Sequence, residues 1–128
     1  MNRIVLDASA LLAVLNVESG GESLTPELLG SAVSSTVNLA EVQTKLVKRG
    51  IDADDAWEAV LSLIRESAPF TQDQARIAGD LVTQTGPHGL SLGDRACLAL
   101  GISLGAPVYT ADRNWKNLKL GVRIHLLR

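Results

Sequence analysis

The chain has 128 residues, 46% of them hydrophobic and 20% charged, with a formal charge of −2. That is the size and balance of one water-soluble globular domain, read here as spanning residues 1–128, with a core that needs no disulfide. Cys97 is the only cysteine, which excludes an intrachain disulfide and a Cys-rich zinc site, and the few aromatics (Trp57, Phe70, Tyr109, Trp115) argue against a base-stacking sheet.

The apolar stretch before Asp7 is too short for a signal sequence, and no run approaches bilayer length, so the expectation is a cytoplasmic protein with no membrane segment. The negative charge weighs against a phosphate-binding protein. It does so less if several acids are committed to metal ions.

In chain order, Arg3-Ile4-Val5-Leu6 reads as a buried strand ending at Asp7. The stretch from Ser9 to Leu15 reads as a helix broken before Gly20-Gly21, and Thr25-Pro26-Glu27 as a cap with Pro at the first helical position. Ala32-Val33-Ser34-Ser35 is a weak second strand. Asn38 is placed to cap a helix through Glu41 and Leu46 to Arg49, stopped by Gly50. Asp52 opens a further helix whose apolar stripe is Ala56, Val60, Leu63 and Ile64.

Ala68-Pro69-Phe70 is a marginal third strand. Thr71-Gln72-Asp73-Gln74 has the capping-box pattern for a helix to about Thr85, and Gly86-Pro87-His88-Gly89 reads as loop. A helix from Ser91-Leu92-Gly93-Asp94 to Leu104 stops at Gly105-Ala106-Pro107. Val108-Tyr109-Thr110 is a buried strand, and Val122 to Leu126 an edge strand. Strands alternating with helices predict an α/β protein with a short parallel sheet covered on both faces.

Four acids stand at informative positions. Asp7 and Asp112 each follow a strand, at the edge where parallel sheets bind ligands. Glu41 and Asp94 fall in the first turns of helices that topology can direct to the same crevice. Carboxylates gathered without basic partners repel one another unless a cation lies between them, and an all-oxygen set favours Mg²⁺ or Mn²⁺ over zinc. Each acid also has a structural reading. Glu41 and Asp94 sit in capping-box patterns, and Asp7 and Asp112 can be caps or turn formers.

Ile4-Val5-Leu6-Asp7-Ala8-Ser9, Asn38-Leu39-Ala40-Glu41-Val42, Leu90-Ser91-Leu92-Gly93-Asp94-Arg95-Ala96 and Tyr109-Thr110-Ala111-Asp112-Arg113-Asn114-Trp115 resemble, in order, the four motifs of the PIN-domain family. The similarity runs over nearly the whole chain and is greatest to the VapC toxins of VapBC toxin–antitoxin pairs. The resemblance implies a three-layer α/β/α sandwich and a Mg²⁺- or Mn²⁺-dependent endoribonuclease acting on tRNA or rRNA. By position Asp7, Glu41, Asp94 and Asp112 match the family's acidic, metal-holding quartet. Ser9 and Thr110 match hydroxyls that hold the carboxylates, and Asn114 matches a variable polar position near the metal.

Arg95, Arg113, Lys45 and Lys116 are candidate contacts to RNA phosphates, with Lys119 a further source of backbone attraction. Cys97, Trp57 and Trp115 are read as packing residues. The resemblance also implies a homodimer and a VapB-like antitoxin. An Arg from that partner would suit the acidic crevice, and Val42, Leu46 and Val60 are expected to seat its helix.

A HAD-type phosphatase also places an Asp after its first strand but requires Asp-x-Asp, whereas here the sequence is Asp7-Ala8-Ser9. A receiver domain wants an acidic pair and a late Lys, neither of which is clear. A PIN-like binding module without strong catalysis is the non-enzymatic alternative.

Overall fold

The computed structural model describes residues 2–128. Its five strands are β1 (Ile4–Leu6), β2 (Ala32–Ser35), β3 (Glu66–Ala68), β4 (Val108–Thr110) and β5 (Ile124–Leu126). They pair in parallel throughout, in the order β3-β2-β1-β4-β5. The helices are α1 (Ala8–Leu15), α2 (Pro26–Leu29), α3 (Thr36–Lys48), α4 (Ala53–Ser62), α5 (Gln72–Asp80), α6 (Val82–Thr85) and α7 (Leu92–Leu104).

Alternation along the strands divides the core in two, because successive side chains leave a strand on opposite faces. Ile4, Leu6 and Ala32 join Leu11, Leu39, Val42 and Val60 beneath α1, α3 and α4. Val5, Val33 and Val108 join Cys97, Leu98, Leu100 and Trp115 on the α7 side. The result is the α/β/α sandwich with a short parallel sheet expected from the sequence.

Several elements begin or end elsewhere than expected. α3 starts at Thr36, two residues before Asn38, and is capped by Ser35, whose hydroxyl accepts from Val37 N at 3.2 Å. Asn38 is therefore inside the helix and buried, and Glu41 lies in the second turn instead of the first. The third strand is Glu66–Ala68, not 68–70, held by backbone pairing of polar residues to β2. The helix after Thr71 breaks at Leu81 into α5 and α6, and Gly86–His88 form a 3-10 turn.

Thr71 supplies its half of a capping box to Gln74 N at 3.2 Å, but Gln74 is buried and its Oε1 has no partner among the described residues. Trp115 and Cys97 are buried as expected, whereas Trp57 is 41% exposed. Val42, Leu46 and Val60 belong to the core and present nothing to a partner. The exposed apolar side chains of this region are Val47, Ile51, Trp57 and Leu61. Among the described residues no helix is long and apolar enough to cross a membrane.

Candidate active site

Asp7 is the centre of the arrangement. β1 ends at Leu6 and α1 begins at Ala8, so Asp7 is both the residue beyond a central strand and the N-cap of a helix. Its Oδ1 accepts from Ala10 N at 2.8 Å. It also accepts from the Ser9 hydroxyl at 2.8 Å, and its Oδ2 accepts from the Thr110 hydroxyl at 2.6 Å. Ser9 in turn accepts from Ala111 N at 2.9 Å, and Thr110 from Asp112 N at 3.0 Å. These bonds join the ends of β1 and β4 and set Asp112 next to the same network.

Only 2% of Asp7 is exposed. Burial pushes its carboxyl from 3.8 up to about 6, against the lowering effect of the Thr110, Ala10 and Ser9 bonds, and the charge of Asp94 raises it further. No basic side chain enters that balance. The buried Cys97 thiol, one turn along α7 from Asp94, is raised well above its ordinary value by burial and by the charges of Asp7, Asp94 and Glu41. Three acids from three elements thus act on one point below the C-terminal edge of the sheet.

Asp94 lies in the first turn of α7 and completes a capping box with Ser91. Ser91 N donates to Asp94 Oδ2 at 2.9 Å, and Asp94 N donates to the Ser91 hydroxyl at 3.2 Å. Asp112 caps the 3-10 turn Arg113–Trp115, accepting from Asn114 N at 2.9 Å. The capping readings of Asp7, Asp94 and Asp112 are therefore realised, and among the described residues one oxygen of Asp94 and one of Asp112 have no hydrogen-bond donor. Glu41 Oε1 accepts from Asn38 Nδ2 at 2.8 Å, and the same Nδ2 donates to Gly93 O on α7 at 3.1 Å, so Glu41 lies against the first turn of α7.

The four acids do not close into a cage. Among the described residues no group of three or more His, Cys, Asp and Glu side chains is placed to hold an ion. The donor set nevertheless suits a hard divalent cation. It is all oxygen, it includes a buried carboxylate without a counter-charge, and Mg²⁺ is commonly held by one or two carboxylates with waters completing its shell.

Of the basic candidates, Arg95 is half-buried, and its Nη1 donates to Ala78 O on α5 at 2.8 Å. Arg113, Lys45, Lys116 and Lys119 are exposed and form no ion pair among the described residues. Asn114 is exposed and touches Asp112 through its backbone alone. Sequence reasoning missed Asn38 and Gly93 as members of the site. The spacing of Asn38 and Glu41, neighbours on one helix face, was the available signal.

The fold and this edge define an α/β protein with carboxylates gathered at the carboxyl ends of its central strands. The model of the PIN domain matches residues 4–120, and the chain belongs to the PIN domain family. Among solved structures it is similar to DNA-bound VapBC from Salmonella typhimurium, with a TM-score of 0.75 and 16% identity over 100% of both chains. It is also similar to VapBC2 from Rickettsia felis bound to a promoter DNA fragment, with a TM-score of 0.70, 20% identity, and coverage of 94% of this chain and 96% of that one. VapC20 from Mycobacterium tuberculosis, described as a sarcin-ricin loop cleaving toxin, gives 0.66 and 20% over 86% and 90%. These likenesses concern the fold. No curated protein sequence matches the chain.

Proposed function

We propose that the chain is a single PIN domain acting as a divalent-metal-dependent endoribonuclease, the VapC-like toxin of a toxin–antitoxin pair. The observation that carries this reading is Asp7, a buried and un-neutralised carboxylate within the field of Asp94 at the ligand-binding edge of the sheet. A protein without a ligand to receive there gains nothing by burying a carboxylate unpaired.

In this reading Asp7, Glu41, Asp94 and Asp112 would together hold Mg²⁺ or Mn²⁺. Ser9 and Thr110 fix the orientation of Asp7, so its oxygens need no reorganisation when the ion arrives. A bound ion supplies an acidified water and screens the phosphate charge for in-line attack. Arg113, Lys45, Lys116 and Lys119 attract the RNA backbone, and the substrate class is tRNA or rRNA. Arg95, with its Nη1 bonded to Ala78 O, is a weaker candidate for the same role.

The partner reading follows from charge. A crevice this acidic is matched by an inserted Arg from a VapB-like antitoxin, whose planar fork bridges carboxylates. The exposed Val47, Ile51, Trp57 and Leu61 provide apolar area for that partner or for a second copy in a homodimer, in the cytoplasm where RNA is met. Cleavage of tRNA and rRNA by the purified chain with Mg²⁺ or Mn²⁺, compared with Asp94→Asn, tests the function. The capping roles of Asp94 and Asp112 favour a second reading, a PIN-like binding module, and binding of RNA without metal-dependent cleavage would select it. Family membership leaves the phosphatase alternative without support.

A further inference from the structure

Asn38 is a buried polar side chain within α3 that caps nothing. It is 1% exposed, and its Nδ2 donates both to Glu41 Oε1 at 2.8 Å and to the Gly93 carbonyl at 3.1 Å. Both partners are acceptors, so the amide must turn its nitrogen toward them. A flipped amide would set oxygen against two oxygens and lose both bonds. The orientation leaves Oδ1 buried without a partner among the described residues, a costly state that the two bonds impose.

Gly93 supplies the matching half. A Cβ there would overlap both carboxylate oxygens of Glu41. The absence of a side chain at 93 is what lets Glu41 lie against the first turn of α7, one residue before Asp94. Relief of such an overlap would move the end of the flexible Glu41 side chain and leave the helix in place.

We propose that Asn38 is the positioning residue of the acidic site. Its amide, with the clearance at Gly93, pins the Glu41 carboxylate to the N-terminal turn of α7 beside Asp94. This rests on the nuclease reading above and assigns a role to a side chain that touches neither metal nor RNA. Without the pin, Glu41 would be free to swing toward solvent, and its ordering would have to accompany every metal-binding event.

The test is Mn²⁺ titration calorimetry on the RNA-free protein, with thermal unfolding of each variant as a check of folding. Asn38→Ala and Gly93→Ala are each expected to weaken Mn²⁺ binding by roughly 10–100-fold, the usual cost of losing a residue that orients a metal ligand. In a Glu41→Ala background neither should weaken it further, because the effect travels through Glu41. If Asn38→Ala does not fold, Gly93→Ala carries the test. Unchanged Mn²⁺ affinity in the folded variants, or losses that add in full to that of Glu41→Ala, would overturn the assignment while wild-type binding and cleavage kept the nuclease reading intact. A wild-type protein that neither binds Mn²⁺ nor cleaves RNA would overturn both.

Discussion

The Thr110 hydroxyl donates to Asp7 Oδ2 across 2.6 Å although 103 residues separate the two in the chain. The bond ties the C-terminal ends of two adjacent central strands and gives a buried carboxylate a donor in place of water. With Ser9 completing the set, Asp7 is held ionisable in a place where burial opposes ionisation. Thr110→Val keeps the volume and removes the donor. Asp7 should then hold its proton to higher pH. The Mn²⁺ affinity measured from pH 5 to 8 should show its midpoint moved upward, and an unmoved midpoint would separate Thr110 from the site.

Asp7 also sets a pH dependence of stability. Its folded carboxyl is raised from 3.8 to about 6, chiefly by burial, so the folded protein holds the proton more tightly than the unfolded chain. The contribution of this group is therefore most favourable at low pH and is lost as pH rises through about 6. The penalty at neutral pH is on the order of 3 kcal/mol. In chelator, Asp7→Asn should melt above wild type at pH 7, with the difference shrinking toward pH 4. A constant difference across that range would mean that the carboxyl charge is not what destabilises the metal-free fold.

Gly101 lies where α7 crosses the sheet, and a Cβ there would stand 2.5 Å from Val108 Cγ2 and 3.2 Å from Val122 Cγ2. Gly101→Ala should overpack this seam and lower stability by about 1–3 kcal/mol in denaturant unfolding. Unperturbed Mn²⁺ binding by the folded variant is expected, because the seam is distinct from the acidic crevice.

Trp57 and Leu61 on α4 are 41% and 42% exposed. Changing both to Ala should lower the melting temperature of the isolated chain less than a core truncation such as Val60→Ala, since neither side chain belongs to the buried clusters. The same change should weaken association with a second copy or an antitoxin, measured by sedimentation of the mixed proteins. Unaltered association would move the interface elsewhere.

Much of the fold was legible because the buried strands are apolar runs and the helix starts carry strong caps. Ile4–Leu6 and Val108–Thr110 have only one plausible reading, and Asp52 and Ser91 announce α4 and α7 by local chemistry. β3 was placed two residues late because Glu66 and Ser67 are polar and exposed, and only backbone pairing with β2 makes them a strand. Asn38 was mistaken for a cap because Ser35 and Asn38 are both good cap residues. Ser35 takes the cap, while Asn38 bonds to Gly93 on α7, 55 residues on in the chain. The acids could be named from their motifs. Which of their oxygens remain free depends on capping bonds that only the folded chain displays.

The most direct measurement is cleavage of total tRNA and rRNA by the purified wild-type chain and by Asp94→Asn, with Mn²⁺, Mg²⁺ or chelator, read by sequencing of new 5′ ends. The expected result is discrete cleavage sites with wild type in either metal, none in chelator, and a loss of several hundred-fold or more in Asp94→Asn, roughly what removing one key electrostatic group costs a catalyst. Cleavage that persists in Asp94→Asn, or no cleavage by wild type in any metal, would contradict the assignment of this acidic edge as a nuclease site.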